Sequence, residues 1–257
     1  MKLGIAVAAC ALLAHSQDAD HGVLAARMKE AALSYTDRLR DFTCTQFLKR
    51  SAGPSPDGPH WKLLDTQEAE LDYVGHKEHY TLLQVNGQSA DPAKRIKRGP
   101  YLTPGGEFGT FLQKIFNPKA QAEFAWDHQE GDGPERACAF RYNVPLATTT
   151  EVIQVNSGRV PVGHHGMVWA DCDTGVVKRF RFESDFGEAE VGGRRVPVGF
   201  HLEVRFTPAT IGSQQFLLPD RVEETSLFYK TWTKVEIQFQ QYRKYDASST
   251  ISFDGHY

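Results

Sequence analysis

From residue 42 onward, apolar and polar side chains alternate in short runs separated by glycine, proline, asparagine and aspartate. Val235, Ile237 and Phe239 alternate with Lys234, Glu236, Gln238 and Gln240, and Leu202, Val204 and Phe206 alternate with His201, Glu203 and Arg205. A period of two sends successive side chains to opposite faces of a strand, so each run shows one face to a core and one to water. The same reading predicts strands in FTCTQFLKR (42–50) and on both sides of a turn near Val74-Gly75-His76. Further strands are expected in AEFAWDHQ, RACAFRYNV, TEVIQVN, GFHLEVRF, QQFLLPDRVEETSLFYK and TKVEIQFQQYRKY. Ser51–Pro59 reads as a loop, with tight turns at Gly131-Asp132-Gly133 and Asp173-Thr174-Gly175. Local turns pair successive strands antiparallel. The expectation is an α+β fold: one large, curved antiparallel sheet with a helix or two on its concave side.

Two stretches break this pattern. Between Ala19 and Arg40, Leu24, Met28, Ala32, Tyr35 and Leu39 recur at helical spacing, opposite a charged side that carries Arg27, Lys29, Glu30, Asp37 and Arg38. TPGGEFGTFLQKIFNP (103–118) places Phe108, Phe111, Leu112, Ile115 and Phe116 at i, i+3, i+4, i+7 and i+8, one apolar stripe. Thr103 is the expected N-cap and Pro104 suits the first turn, while Asn117-Pro118 ends the helix. Gly105, Gly106 and Gly109 weaken its start, each by up to about 1 kcal/mol relative to alanine. Such a helix forms only while its stripe is docked. Either the stripe closes the core against the sheet, or it is a movable lid over an apolar cavity.

The N-terminus adds a compartment. Lys2 precedes a short apolar run, Leu3–Ala14, and Ala14-His15-Ser16 offers small residues for cleavage, so residues 1–16 read as a signal peptide and 17–257 as a single sheet domain. Val7-Ala8-Ala9-Cys10 also resembles a lipid-attachment site, which makes anchoring through Cys10 an alternative to a periplasmic or secreted protein. No later run reaches the ~20 apolar residues of a membrane span. Removal of Cys10 leaves Cys44, Cys138 and Cys172, which allow at most one internal bridge; the sequence does not say which. A formal charge of −3 gives no electrostatic reason to expect nucleic acid.

Several segments carry a resemblance: DFTCTQ, ELDYVGHKEHYTLLQVNGQ, GGEFGTFLQKIFNPKAQAEFAW, FLLPDRVE and QQYRKYDASSTISF. In this order they resemble an uncharacterised family of exported bacterial proteins, across nearly all of residues 17–257. More distantly the chain is similar to the periplasmic lipoprotein-carrier (LolA/LolB-like) fold. The signal peptide, the helix–sheet order and LLPDRVE carry that second likeness. It implies an unclosed antiparallel β-barrel wrapped around an apolar cavity, with helices across its mouth.

Catalytic signals are sparse. Asp171-Cys172-Asp173-Thr174-Gly175 contains a single Asp-Thr-Gly where aspartic proteases need two, and it lacks the later ligands of a calcium loop, so it reads as a turn. His76 and His79, and the adjacent His164-His165, do not form two-ligand clamps, since neighbours at i+1 or i+3 on a strand point to opposite faces, and they are read as exposed histidines. GxSxG, HExxH and Walker signatures do not occur. Arg95–Tyr101 is a basic loop suited to an acidic partner or a lipid headgroup, or simply to water. The leading expectation is a non-catalytic binding or carrier module for a lipid or acylated protein, without metal or cofactor, using Phe108, Phe111, Leu112, Ile115 and Phe116. A closed-core envelope protein and a hydrolase with a site assembled from distant loops are the rivals.

Overall fold

A computed structural model describes residues 6–90, 106–155 and 158–246; for residues 6–19 and 134 it describes the backbone alone. The N-terminal sheet strands are β1 (Phe42–Gly53), β2 (Lys62–Val74), β3 (Lys77–Val85) and β4 (Gln88–Ser89). After a helix come β5 (Glu123–Glu130), β6 (Ala137–Val144), β7 (Val152–Val155), β8 (Gly158–Pro161), β9 (His164–Asp171) and β10 (Val177–Ser184). The last four are β11 (Gly187–Val191), β12 (Arg194–Ile211), β13 (Gln214–Phe228) and β14 (Thr231–Lys244). Helices α1 (Ala6–Leu33) and α2 (Tyr35–Arg38) precede the sheet, and α3 (Thr110–Phe116) interrupts it.

The order across the main sheet is β4-β3-β2-β1-β14-β13-β12-β10-β9-β6-β5, with β11 paired to β12. All its ladders are antiparallel, as tight turns require. The chain's last described strand, β14, inserts beside its first, from Phe42↔Lys244 to Gly53↔Trp232. The sheet stays unclosed, because β4 and β5 end the order without pairing to each other. Among the described residues, TEVIQVN does not join it: β7 pairs with β8 in a separate two-stranded sheet. Ser51-Ala52-Gly53 belong to β1 rather than to the expected loop.

The curvature follows from two ring contacts. Phe108 lies 5.9 Å from Tyr73 of β2, and Phe116 stacks on Phe124 of β5 at 5.1 Å, both measured between ring centroids. Strands β2 and β5 are eight steps apart in the sheet, about 38 Å at the usual spacing. Phe108 and Phe116 are at most about 16 Å apart, six helical rises of about 1.5 Å plus two turn residues of at most about 3.6 Å each. The sheet therefore wraps around α3, and its concave face is the core.

Alternation identifies that face. Leu202, Val204 and Phe206 of β12, Val222 of β13 and Val235, Ile237 and Phe239 of β14 are buried, while Arg205 and Gln240 are exposed. Leu24, Met28, Ala32, Tyr35 and Leu39 are buried as their spacing predicts. The hairpin tip between β9 and β10 holds α1 in place. Gly175 (φ +75°) brings its backbone against Arg27 and Met28, and Arg27 donates to the Asp173 carbonyl at 3.2 Å. Asp171 shapes that tip by accepting from the Asp173 and Thr174 amides and the Thr174 hydroxyl. Partial burial pushes its carboxyl up, but the Thr174 and Lys178 hydrogen bonds outweigh that and hold it at about 2. The segment is a turn, as its composition predicts. Cys138 and Cys172 form a disulfide beside it, and Cys44 is free and buried.

Candidate functional site

The stripe on α3 lies against the concave face. Phe108, Leu112, Ile115 and Phe116 are at most 2% exposed and Phe111 is 9% exposed. Phe108 meets Phe42 of β1 and Phe239 of β14, each at 5.2 Å between ring centroids. Phe111 meets Phe182 of β10 at 5.3 Å and Phe200 of β12 at 6.4 Å. Aromatic residues from both wings of the sheet thus converge on one short helix, and the five stripe residues predicted from spacing share one surface.

The helix begins later than its sequence suggests. Its N-cap is Gly109 (φ 122°), not Thr103; Thr103, Pro104 and Gly105 lie outside the described residues, as does the basic loop Arg95–Tyr101. Phe108 therefore belongs to a turn ahead of α3. Gly106 (φ +95°) and Gly109 take left-handed backbone that other residues adopt at a cost. The Gly106 amide donates to the Glu78 carboxylate of β3 at 3.2 Å, so a side chain from the sheet orients the turn. On the α1 side, Gln113 donates to the Leu33 carbonyl at 3.1 Å. Asn117 ends α3 as expected, and its side chain caps the following turn by accepting from the Lys119 amide at 2.9 Å.

Sequence reasoning missed the polar groups here. Glu107 is 1% exposed and Glu224 of β13 is 4% exposed, and both carry carboxyl oxygens without a hydrogen-bond partner. Burial, with Glu78 and then Glu224 nearby, pushes the Glu107 carboxyl up to about 8. Burial, with Glu151 nearby, pushes Glu224 up to about 7. His164 is fully buried, contrary to the expectation of an exposed histidine, and stacks on Phe182 at 4.2 Å between centroids. Burial, reinforced by Lys114 and His165, pushes it down to about 3, so it sits in the core as a neutral ring. His165, its neighbour, points outward as strand geometry dictates. The cation on α3, Lys114, pairs with buried Glu151 at 2.5 Å and lies 4.8 Å from the Phe111 ring centroid. Two signals were legible: Glu107 lies four residues before Phe111, and Glu224 shares the strand phase of buried Val222.

Chemistry elsewhere is limited. Burial pushes the Cys44 thiol up to about 12, which leaves it unreactive at neutral pH. Among the described residues, no group of three or more His, Cys, Asp or Glu side chains is arranged to hold a metal ion. An open depression of about 510 Å³ lies across β2, β1, β14 and β13, lined by outward side chains such as Phe47, Lys49, Glu68 and Glu236. It is on the convex side, away from the stripe, and Lys49 and Glu236 already pair across it at 3.2 Å. Among the described residues, no helix is long and apolar enough to cross a membrane.

No family model matches the chain, and no curated protein matches it. Solved structures do overlap with it, among them LolA superfamily and DUF1329 family proteins. A LolA superfamily protein from Nitrosomonas europaea is 11% identical and overlaps 85% of this chain and 92% of its own, with a TM-score of 0.37. A domain from Vibrio parahaemolyticus described as outer-membrane lipoprotein-sorting is 11% identical and overlaps 86% and 94%, with a TM-score of 0.43. A DUF1329 family protein from Desulfovibrio piger is 8% identical and overlaps 87% and 93%, with a TM-score of 0.37. At these overlaps nothing about ligand or activity passes from those proteins to this chain.

Proposed function

We propose that this chain is an exported, non-catalytic binding or carrier module for an apolar ligand, a lipid or the acyl chain of an acylated protein. Residues 1–16 act as its export signal and 17–257 form one domain. The ligand takes the concave aromatic surface that Phe108, Phe111, Leu112, Ile115 and Phe116 otherwise occupy. One observation carries this reading: a seven-residue helix, bounded by positive-φ glycine, fills the hollow of an unclosed sheet with large apolar side chains. A helix that short has no stability of its own and depends on its docked face.

The energies match. Burying the five stripe side chains is worth roughly 8–15 kcal/mol gross at about 1.5–3 kcal/mol each. An acyl chain of about 16 carbons buried in the same place is worth roughly 13 kcal/mol at about 0.8 kcal/mol per methylene. Exchange between helix and chain is then close to balance, which suits a carrier that must both load and release.

The full burial of the stripe also favours a second reading, an envelope protein with a permanently closed core and no ligand. Native mass spectrometry separates the two. The protein is purified from the export compartment beside a Phe111→Asp, Phe116→Asp variant shown to be folded by circular dichroism. A carrier shows a discrete added mass of lipid size that the variant lacks; a clean apo mass in both supports the closed core.

A further inference from the structure

Glu107 and Glu224 are the anomaly on the concave face. They come from opposite partners of one contact: Glu107 from the turn that leads into α3, Glu224 from the sheet. Glu224 is flanked across the ladder by Leu202 and Val235, both buried, so it stands in an apolar row. The residue after Glu107, Phe108, packs on Phe239 of β14, the strand paired with β13. Carboxyl oxygens on both residues lack a hydrogen-bond partner. An unpaired carboxylate in such surroundings neutralises rather than pay the cost of desolvation.

Apart from the backbone amide of Glu107 itself, the groups around them offer no relief. Glu107 is faced by Glu78 and Tyr80 of β3, by Glu224 of β13 and by Tyr242 of β14. Tyr35 of α2 contacts the turn at Gly109, and Cys44 of β1 and Tyr73 of β2 lie in the same core. None of these carries a positive charge. Glu224 is faced by Glu151, and Lys114, the cation of α3, is engaged by that same Glu151. Ionisation of either acid therefore adds a negative charge to surroundings already acidic.

We propose that the docking of α3 is a proton-dependent latch: the helix is held against the sheet while Glu107 and Glu224 carry their protons, and it releases as they lose them. The hinge is the turn between Gly106 and Gly109, whose backbone is already in the glycine-favoured region. Release turns Glu107 out to water and leaves Glu224 on the opened face. The latch is a property of this chain alone and operates whether or not a ligand takes the vacated surface.

The sign follows from the direction of the shifts. Docked, the two carboxyls sit at about 8 and about 7, above their ordinary value of 4.5. A carboxyl raised on docking favours the docked state fully below its free value and less at each step above it, until the docked value is passed. The latch is tightest in mild acid and loosens between about pH 5 and pH 8. His164, held neutral beneath the helix, keeps the same charge across this window while docked.

Hydrogen exchange resolved by peptide mass, corrected for the intrinsic chemical rate, tests this on ligand-free protein at pH 5 to 9. The expected result is a loss of protection of about tenfold or more in the peptide covering 106–117 as pH rises to 8.5, with β12, β13 and β14 unchanged. The Glu107→Gln, Glu224→Gln double variant keeps its pH 5 protection throughout. Flat protection in the wild type, an equal loss in the double variant, or an equal loss across all strands overturns the latch. Should the variant not fold, carbon-13 NMR titration of the wild-type glutamate carboxyls decides: midpoints above 6 for Glu107 and Glu224 support it, and midpoints near 4.5 refute it. A lipid adduct is not read in any arm, so the latch and the carrier reading fail separately.

Discussion

Gly109 packs its backbone against the side chain of Thr36, so closely that a Cβ at Gly109 would overlap Thr36 Cγ2. This position joins the start of α3 to α2, and it needs glycine twice, for the contact and for φ +122°. Gly109→Ala is therefore expected to destabilise the protein by roughly 1–3 kcal/mol, read as a lower urea midpoint. Thr36→Ser removes the clashing methyl and should restore part of the loss. No change in the Gly109→Ala midpoint would contradict the packing of α3 described above.

The stripe and the outer surface should differ sharply in cost. Leu112 is 1% exposed on the concave side, and Leu83 is 40% exposed near the free edge at β3. Leu112→Ala is expected to cost about 2–5 kcal/mol, and Leu83→Ala to fall within about 0.5 kcal/mol of the wild type. Equal costs would mean that the wrong face has been identified as the core.

Cys138 and Cys172 enclose a loop with a sequence separation of 34. Their bridge should stabilise the fold by roughly 3–4 kcal/mol through the unfolded chain. Alkylation followed by peptide mapping checks the pairing. Folded, unreduced protein leaves Cys44 unlabelled; urea without reductant exposes Cys44 alone among these three; reductant then exposes Cys138 and Cys172. Labelling of Cys44 in the folded state would contradict its burial and its raised thiol.

His164 should make the protein sensitive to acid. Its folded value of about 3 lies below its ordinary 6.5, so the unfolded chain binds the proton first. The stability it contributes is complete above pH 6.5 and falls as pH drops toward 3, by up to about 1.4 kcal/mol per pH unit. Glu107 and Glu224 act in the opposite sense above pH 4.5, so wild-type stability should peak in mild acid. His164→Phe keeps a ring against Phe182 and removes the titration. Denaturation curves between pH 4 and 7 should then show the wild type losing ground to the variant as pH falls; parallel curves would remove His164 from the account.

The strands and stripes were legible because each is a local pattern. Val235, Ile237 and Phe239 declare their face through spacing alone, and so do Leu24, Met28 and Ala32. The turn at Asp173-Thr174-Gly175 was legible for the same reason, since an aspartate carboxylate and a positive-φ glycine complete it within five residues. Legibility failed where neighbours came from afar. Thr103 looked like a cap because it precedes proline, yet α3 starts only where Gly109 meets Thr36. His164 was read as exposed together with its neighbour, but the strand phase that sends His165 outward turns His164 onto Phe182.

By itself the sequence determined the α+β class, the antiparallel hairpins and the apolar stripe of Phe108, Phe111, Leu112, Ile115 and Phe116. Side-chain periodicity and turn chemistry act over a few residues, and a single chain displays them completely. Only the tertiary structure decided that β14 inserts beside β1, that Cys138 pairs with Cys172, and that Glu107 and Glu224 share the buried concave face. Those facts depend on how the sheet bends until β2 and β5, about 38 Å apart along it, both reach a helix of about 10 Å. Curvature of that kind is a sum over many strands, and no single stretch of sequence carries it.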